Sequence, residues 1–433
     1  MTRAPSGAHH PWMKRVAAAV FVLLAVAAGC GGEDSAKPVA AGSCAEVLYE
    51  GQGEPDVIIV SDFPRRGEAA EFTTLVVEAI KFVLMRHDYR AGDLRVGYQS
   101  CNDTIGDRPY DVGLCERNAK AYAAAKDVIG VIGPWQSGCA ELQIPILSRK
   151  AAGPLALISP SNTDIALTRT VPQQRSSGDA LHPDGIRSYL RVVTHDFAQG
   201  IAAAHLAKRQ GARRVAVLHD DDLDSRYARG LTLPFVASAR GLGLEVAQFE
   251  WPLRKNYAGL AASVARAQPE AIFLAGLPQG NAKRLIEDLR AALGPGVTFI
   301  APESFAGSDL GKNLGAAGQG MLVTNPSVPP QKLPPAGQRF LRELAPAATN
   351  PYSAAETAQA TEVLLDAIAR SDGTRASVVD ELFRTRVTNG LLGSFSFDRY
   401  GDITPAPVGI FRVEGENLVP VDVIRAPLDE FRG

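Results

Sequence analysis

The strongest constraint on the fold is a repeated alternation of short apolar runs with segments of helical periodicity. In the first part of the chain the apolar runs are DVIIVS (56–61), LRVGYQ (94–99), VIGVIG (128–133) and LALIS (155–159). Such continuous runs are typical of strands that are buried on both faces. Their alternation with helices predicts a parallel sheet that helices cover on both sides.

The same alternation restarts after a polar, proline-containing segment (170–184). Five further runs are predicted to form a second sheet, namely RSYLRVV (187–193), RRVAVLHD (213–220), LEVAQFEW (244–251), AIFLAG (271–276) and VTFIAPE (297–303). A chain of 433 residues is too long for one small core. The sequence therefore predicts an α/β protein with two doubly wound parallel-sheet lobes.

The first 29 residues have the pattern of a signal peptide, with basic residues before the apolar run VAAAVFVLLAVAA (16–28). This run is too short to span a bilayer. The sequence AAGC (27–30) resembles the lipobox of bacterial lipoproteins, although Ala27 stands where leucine is commoner. The resemblance implies lipidation of Cys30, a flexible tether over 30–43, and an exported chain anchored on the extracytoplasmic side of the membrane. The alternative is an ordinary secretory signal.

Four cysteines remain if Cys30 carries a lipid, and an exported chain is expected to pair them. Three pairings are possible. Cys101 ends a predicted strand, and Cys44 begins CAEVLYE (44–50), a run that could lie antiparallel at the edge of that strand. Cys115 and Cys139 begin successive predicted helices. This reasoning favours the pairs Cys44–Cys101 and Cys115–Cys139.

The chain lacks the sequence signatures of several classes of protein. The net charge of −2, without a long basic run, argues against a nucleic-acid partner. The sequence contains no C-x-x-C, H-E-x-x-H, EF-hand or Walker pattern, so no metal or cofactor is predicted. WQSGC (135–139) lacks the glycines of a nucleophile elbow, and we predict no enzymatic activity.

Small polar residues follow two neighbouring predicted strands. Ser137 lies in VIGPWQSG (131–138), and a second group lies in ISPSNTD (158–164). Hydroxyl groups and free N–H groups at a helix N-terminus favour an anion such as a carboxylate, although a plain helix cap would use the same residues. Glu303, in IAPES (300–304), also ends a strand; it could pair with an ammonium group or face solvent.

Ordered matches along the chain identify a family resemblance. The stretches are VIGPWQSGCAELQIPIL (131–147), LALISPSNTDIALT (155–168), RRVAVLHDDD (213–222), TFIAPESFAG (298–307), GMLVTNP (320–326) and SFSFDRYGD (394–402). Together they resemble the branched-chain amino-acid-binding proteins of ABC transporters, which have the type I periplasmic-binding fold. Each motif is loose, and the order and spacing make the case.

The resemblance implies a site for an α-amino-acid-like head group. The family serine that binds the ligand carboxylate falls on Ser137, and the loop that binds carboxylate and ammonium falls on Ser161 and Thr163. The acidic residue that binds the ammonium from the second lobe falls on Glu303.

Other positions depart from the family pattern. Arg65 stands in the loop after the first strand, where an aromatic residue is common, and Asp224 and Leu277 replace two aromatic residues of the second lobe. Trp135 could supply part of the lost surface. These changes predict a side-chain pocket that differs from that of a leucine binder, with a polar or charged ligand tail as the hypothesis.

The family fold also implies three chain crossings between the lobes, which we place near Thr194, Pro326 and Asn389. The predicted lobes are 44–193 with 326–388, and 194–325 with 389–433. The implied function is capture of a small solute by hinge closure, for delivery to ABC permease subunits. The alternatives are a ligand-sensing lipoprotein coupled to a receptor, an exported α/β hydrolase, and a structural envelope lipoprotein.

Overall fold

We analysed a computed structural model of the chain. The structure describes residues 35–67, 69–171, 176–220, 222, 225–279, 281–307, 310–345 and 353–428. The predicted signal peptide, Cys30 and Asp224 lie outside these residues. Within them, no helix has both the length and the apolar character needed to cross a membrane.

The first sheet has six strands in the order β2-β3-β1-β4-β5-β6. They are β1 (Val57–Phe63), β2 (Arg90–Ala91), β3 (Leu94–Asn102), β4 (Val128–Ile132), β5 (Ala156–Ser159) and β6 (Tyr189–Arg191). Only β2 is antiparallel to its neighbour. We expected RSYLRVV to begin the second sheet, but β6 pairs with β5 and closes the first. Its apolar character fits either position, so local sequence could not decide between them.

The second sheet has seven strands in the order β16-β15-β11-β10-β9-β7-β8, and a small three-stranded sheet has the order β12-β13-β14. The strands are β7 (Arg214–His219), β8 (Glu245–Glu250), β9 (Ala271–Ala275), β10 (Thr298–Ala301), β11 (Leu322–Asn325), β12 (Arg386–Gly390), β13 (Gly393–Phe397), β14 (Ile403–Thr404), β15 (Pro407–Glu414) and β16 (Asn417–Arg425). Strands β7 to β11 are parallel, and β15 and β16 add an antiparallel edge.

Helices cover both sheets. Their bounds are α1 (Ala69–Arg86), α2 (Val112–Ala124), α3 (Ser137–Leu147), α4 (Asp196–Arg209), α5 (Ser225–Gly241), α6 (Ala258–Arg266), α7 (Ala282–Leu293), α8 (Leu310–Leu314), α9 (Pro335–Leu344), α10 (Ala354–Arg370) and α11 (Arg375–Arg384). In the first lobe α1 packs on α10 and α2 on α3, whereas in the second α4 packs on α5 and α6 on α7.

Alternate residues of the central strands enter cores on opposite faces, because successive side chains of a strand point to opposite sides. In β1, Ile59 joins one buried cluster and Ile58 joins the other. In β7, Val217 and Leu218 divide in the same way between the two clusters of the second sheet. Each sheet is therefore covered on both faces, and the predicted pair of α/β lobes is confirmed.

Both predicted disulfides are present. Cys44 bonds Cys101, and Cys115 bonds Cys139. The segment that carries Cys44 lies antiparallel to β3, with Leu48 opposite Tyr98. The second disulfide joins α2 to the first turn of α3. The sequence was sufficient to select these two disulfides, because it predicted the strand edge that joins Cys44 to Cys101 and the two helix starts that carry Cys115 and Cys139.

Three chain crossings between the lobes lie side by side. The Thr194 N–H donates to the Pro326 carbonyl at 2.8 Å, and its hydroxyl donates to the Pro407 carbonyl at 2.7 Å. Asn389, the predicted third crossing, lies in β12, and Phe395 and Phe397 of β13 pack into a core of the first lobe. The packing favours a later third crossing than the sequence suggested, and the lobe boundaries remain predictions.

Candidate functional site

Two loops of the first lobe, after β4 and β5, are bonded to each other. The Ser161 hydroxyl donates to the Trp135 carbonyl at 2.8 Å, and the Ser159 hydroxyl donates to the Pro134 carbonyl at 3.1 Å. The Ser137 Oγ accepts the Asp164 N–H at 3.4 Å. The structure thus brings Ser137, Ser161 and Trp135 together, as the sequence implied. We name these loops, 134–137 and 159–164, the cradle.

Asn162 braces the cradle from inside, whereas the sequence placed it among the polar residues that would hold a ligand. Its side chain is buried, with 1% of its surface exposed. The amide donates to the carbonyls of Pro134 and Trp135 at 3.0 and 2.8 Å, and it accepts the Tyr189 hydroxyl at 3.1 Å. Because these partners come from β6 and the other loop, no local pattern marks the role of Asn162.

A buried ion pair supports the cradle from below. Arg191, at the end of β6, donates to the carbonyls of Asn162 and Asp164 at 3.2 and 2.8 Å and pairs with Asp402 at 2.8 Å. Burial opposes ionisation of Asp402, but the charges of Arg191, His195 and Arg169 outweigh it and hold its pKa well below the usual range. The final aspartate of SFSFDRYGD therefore fixes the guanidinium that holds the cradle.

The second lobe contributes a wall of buried carboxyl groups. The Oε2 of Glu303 and the Oδ1 of Asp196 are buried and make no hydrogen bond among the described residues. Gln199 of α4 and Tyr227 of α5 lie beside Glu303, and their side chains lower its pKa by hydrogen bonding, against the rise that burial causes. We name Asp196, Glu303 and Tyr227 the acidic wall. Sequence reasoning found only Glu303, because Asp196 and Tyr227 occupy helices that give no local signal of a site.

Burial raises the pKa of both carboxyl groups. For Asp196, burial is the largest cause, and the neighbouring charges of Glu303 and Asp164 add to it. For Glu303, burial is opposed by hydrogen-bonding groups of Gln199, its own backbone and Tyr227. A hydrogen bond from Thr163 and the charge of Arg191 oppose the pKa shift of Asp196 only in part. The two adjacent carboxylates still repel each other, so a positively charged group placed between them would favour their ionised forms.

Two contacts join the cradle to the second lobe. The Asp196 N–H donates to the Thr163 carbonyl at 2.8 Å. Across the cleft, the guanidinium of Arg226 in α5 donates to Glu141 of α3 at 2.6 Å and also pairs with Asp164. The cradle and the acidic wall therefore approach each other from opposite lobes, and Thr163 lies where they meet.

Arg65 and Leu277 form hydrogen bonds with groups outside the cradle, whereas Trp135 also joins the cradle to the end of β1. The Arg65 guanidinium donates to the Thr73 carbonyl of α1 at 3.0 Å. The half-buried Leu277 follows β9, and its N–H reaches Asp220 at 3.4 Å. The Trp135 ring meets the Phe63 ring edge-on, with centroids 6.4 Å apart.

A cavity of about 220 Å³ lies near the chain crossings. Ser161 is on its wall, together with residues of the second crossing and Glu356 of α10. The Glu356 carboxyl accepts the Ser327 hydroxyl, and burial raises its pKa. The cavity thus borders the cradle on the hinge side.

Comparison with known proteins identifies the family to which this architecture corresponds. A periplasmic binding protein family profile matches residues 107–417, which is more than two thirds of the chain. No curated protein sequence gives a significant match.

Solved structures share the fold at low sequence identity. A leucine-binding protein from Thermotoga maritima is 23% identical, with a TM-score of 0.68 over 86% of this chain and 99% of that one. An ABC transporter substrate-binding protein from Desulfitobacterium hafniense, in complex with leucine, is 20% identical, with a TM-score of 0.68 over 84% and 99%. A solute-binding protein of an ABC transporter from Rhodopseudomonas palustris BisB5, in complex with 3,4-dihydroxybenzoic acid, is 16% identical, with a TM-score of 0.64 over 86% and 97%.

The two doubly wound lobes, the adjacent chain crossings and the polar cleft between the lobes agree with the family profile. The chain belongs to the periplasmic binding protein family and has its type I fold.

Proposed function

We propose that this chain is the solute-binding lipoprotein of an ABC importer and that it captures a solute with an α-amino-acid-like head group between its lobes. The observation that carries the proposal is the buried, unpaired Oε2 of Glu303, which lies beside the unpaired Oδ1 of Asp196. Glu303 has hydrogen-bonding neighbours but no positive charge among the groups that shift its pKa. A ligand ammonium would offset the cost of burying its charge, which is roughly 2–5 kcal/mol.

The cradle supplies the complementary chemistry for a ligand carboxylate. Ser137 begins α3, where backbone N–H groups point away from the helix. Its Oγ accepts the Asp164 N–H, which leaves its own hydrogen for a ligand oxygen. The donor and the carboxyl groups thus face the cleft from opposite lobes, as a zwitterionic head group requires.

The tail of the ligand contacts the second-lobe side of the cleft and the loop after β1. Tyr227 lies beside Glu303 and would supply an aromatic surface to the ligand, in addition to the positions where the family resemblance implies that aromatic residues are lost. Arg65, Leu277 and Asp224 remain our candidates for residues that select the ligand side chain.

Aromatic acids are the second candidate class, because one of the similar structures binds 3,4-dihydroxybenzoic acid. An anionic ligand without an ammonium would leave the acidic wall unpaired. Amino acids therefore fit the cleft better than benzoates do.

Isothermal titration of the mature chain, after unfolding and refolding to remove carried-over solute, tests the proposal. The panel comprises the amino acids, their amides and hydroxybenzoates. We expect micromolar binding of one amino-acid class, which corresponds to about −8 kcal/mol. Binding of benzoates alone would contradict the ammonium assignment, and silence across the panel would contradict the solute-capture assignment.

The anchor and the partner need separate tests. We expect Cys30→Ser to release the processed chain from the membrane fraction. We also expect deletion of the protein to abolish uptake of the solute found by titration. Intact uptake combined with a lost chemotactic or transcriptional response would instead favour the receptor-coupled sensor.

A further inference from the structure

A second group of buried carboxyl groups lies inside the first lobe, away from the acidic wall. Asp62 is near the end of β1, and Asp103 follows β3; both have 0% of their surface exposed. The Asp103 carboxyl lies within 4.8 Å of the sulfur atoms of Cys115 and Cys139. The disulfide prevents these sulfurs from acting as thiolate ligands, so any ligand chemistry here belongs to oxygen atoms.

The hydrogen bonds around these carboxyl groups are incomplete. Asp62 accepts the side-chain amides of Asn118, at 2.8 Å, and Gln143. Both carboxyl oxygens of Asp103 are buried without a hydrogen bond among the described residues. The Gln143 Oε1 is likewise buried without a hydrogen bond among the described residues. The Tyr122 hydroxyl lies against Asp62 and lowers its pKa through a hydrogen bond, in opposition to burial. Three buried oxygen atoms without partners, two of Asp103 and one of Gln143, therefore belong to the residues around Asp62.

Among the described residues, no positive charge compensates these carboxyl groups. Burial raises the pKa of Asp62 to about 6. Burial, and then the charge of Asp62, raise the pKa of Asp103 to about 9. No lysine, arginine or histidine contributes to either shift. Two buried carboxylates without a counter-charge are costly, and a bound cation is one way in which proteins remove that cost.

We propose that Asp62 and Asp103, with the Gln143 Oε1 and the Tyr122 hydroxyl oxygen, form a binding site for a hard divalent cation, with Ca²⁺ as the fitting ion. Carboxylate, amide and hydroxyl oxygens are the ligands such an ion prefers, and two carboxylates balance its charge. Mg²⁺ fits less well, because it retains several waters and demands octahedral geometry.

The position of the site gives the ion a structural role. An ion held there would connect the ends of β1 and β3 to α2 and α3, alongside the Cys115–Cys139 disulfide. The first residue of α3 is Ser137, so the ion would also fix one end of the cradle. This inference does not depend on which solute the cleft binds.

Calcium binding to the mature chain tests the site. The protein is dialysed against a chelator, and ⁴⁵Ca²⁺ binding is measured by equilibrium dialysis up to millimolar concentrations, because exported calcium modules bind at about 10⁻⁴–10⁻³ M. We expect one ion per chain and a melting temperature that rises with Ca²⁺ concentration. Absence of both effects in the wild-type chain would overturn the proposal and leave the two carboxyl groups to share a proton or a water.

Variants locate the ion. We expect Asp103→Asn to abolish binding and the thermal shift, whereas Glu116→Gln, a more exposed change on α2, keeps both. Tyr122→Phe removes one neutral oxygen, and we expect it to weaken Ca²⁺ binding about tenfold if Asp103→Asn does not fold. Unchanged Ca²⁺ binding in both Tyr122→Phe and Asp103→Asn would show that the ion binds elsewhere. Metal binding that appears only after reduction of the disulfide would show that the thiolates of Cys115 and Cys139 are the ligands, which would overturn the oxygen site.

Discussion

The two walls of the cleft differ in how completely they satisfy their own polar atoms. In the cradle, the side chains of Ser159, Ser161 and Asn162 donate hydrogen bonds to backbone carbonyls of the neighbouring loop. In the acidic wall, Asp196 and Glu303 each keep a buried oxygen without a partner. The polar side chains of the cradle are therefore hydrogen-bonded within the protein, whereas the acidic wall keeps unpaired carboxyl oxygens. Under the proposed function, the first lobe would position the solute and the second lobe would gain more from its binding.

This asymmetry provides a physical basis for closure. A ligand shifts an open–closed equilibrium only by its differential affinity for the closed form. Most side-chain hydrogen bonds of the cradle are already made without a ligand, so the cradle would contribute little to that difference. Under the proposed function, the acidic wall would gain a counter-charge only when the ligand ammonium reaches it, and this gain would favour closure by hinge rotation.

The largest expected effect comes from breaking the support of the cradle. Asp402→Asn leaves Arg191 buried without its charge partner, and we expect the free energy of unfolding to fall by about 3–5 kcal/mol. Urea unfolding measures it. Asp179→Asn, which removes a mostly exposed partner of Arg187, is the control and should change stability by less than about 1 kcal/mol. Equal stability of the two variants would show that the cradle does not depend on this ion pair.

The next effect concerns the acidic wall alone. Glu303→Gln keeps the shape but removes the charge, and we expect the affinity for an amino acid to fall by roughly 2–5 kcal/mol with little loss of stability. Calorimetric titration of Glu303→Gln beside the exposed control Glu245→Gln measures this change. If both bind as the wild type does, Glu303 is not part of the site and the asymmetry has no role in binding.

A pH experiment sharpens the comparison at the hinge between the walls. His195 accepts the Ala198 N–H at 3.1 Å, and burial lowers its pKa to about 4. Because the unfolded chain binds this proton near pH 6.5, the stability contributed by neutral His195 is present above pH 6.5 and is lost as pH falls toward 4. We expect His195→Asn, which keeps a capping side chain, to lose less stability than the wild type between pH 7 and 4.

The free energy of unfolding of the wild type and of His195→Asn is measured at several pH values. The difference between the two proteins isolates His195, because the other titrating groups contribute equally to both. Parallel pH profiles for the two proteins would show that His195 titrates alike in the folded and unfolded chains.

The smallest effect is expected at the contact that joins the two walls. Arg226 is 43% exposed and Glu141 is 20% exposed, so solvent screens their interaction. We expect Arg226→Gln to change ligand affinity by less than about 1 kcal/mol and to accelerate ligand release. Stopped-flow release rates, with Arg229→Gln on the exposed face of α5 as the control, measure this change. A loss as large as that of Glu303→Gln would make Arg226 a direct ligand contact.

The fold was largely predictable because its signals are local. Continuous apolar runs identified the strands, and the starts of two helices identified the Cys115–Cys139 pair. The site was predictable only in part. Ser137, Ser161 and Glu303 stand at strand ends, where position alone suggests a ligand. The bracing role of Asn162 and the position of Tyr227 could not be predicted, since a polar loop residue and a helical tyrosine serve many structural roles.

By itself, the sequence determined the two doubly wound lobes, the disulfide partners and the edge of each sheet at which polar residues meet. The tertiary structure decided which of those residues satisfy one another and which remain unpaired. Arg191 and Asp402 are 211 residues apart, yet together they hold the cradle. The assignment of β6 to the first sheet and the position of Asp196 beside Glu303 likewise depend on how distant segments converge. Burial and unpaired polar atoms are properties of that convergence, and a linear pattern does not contain them.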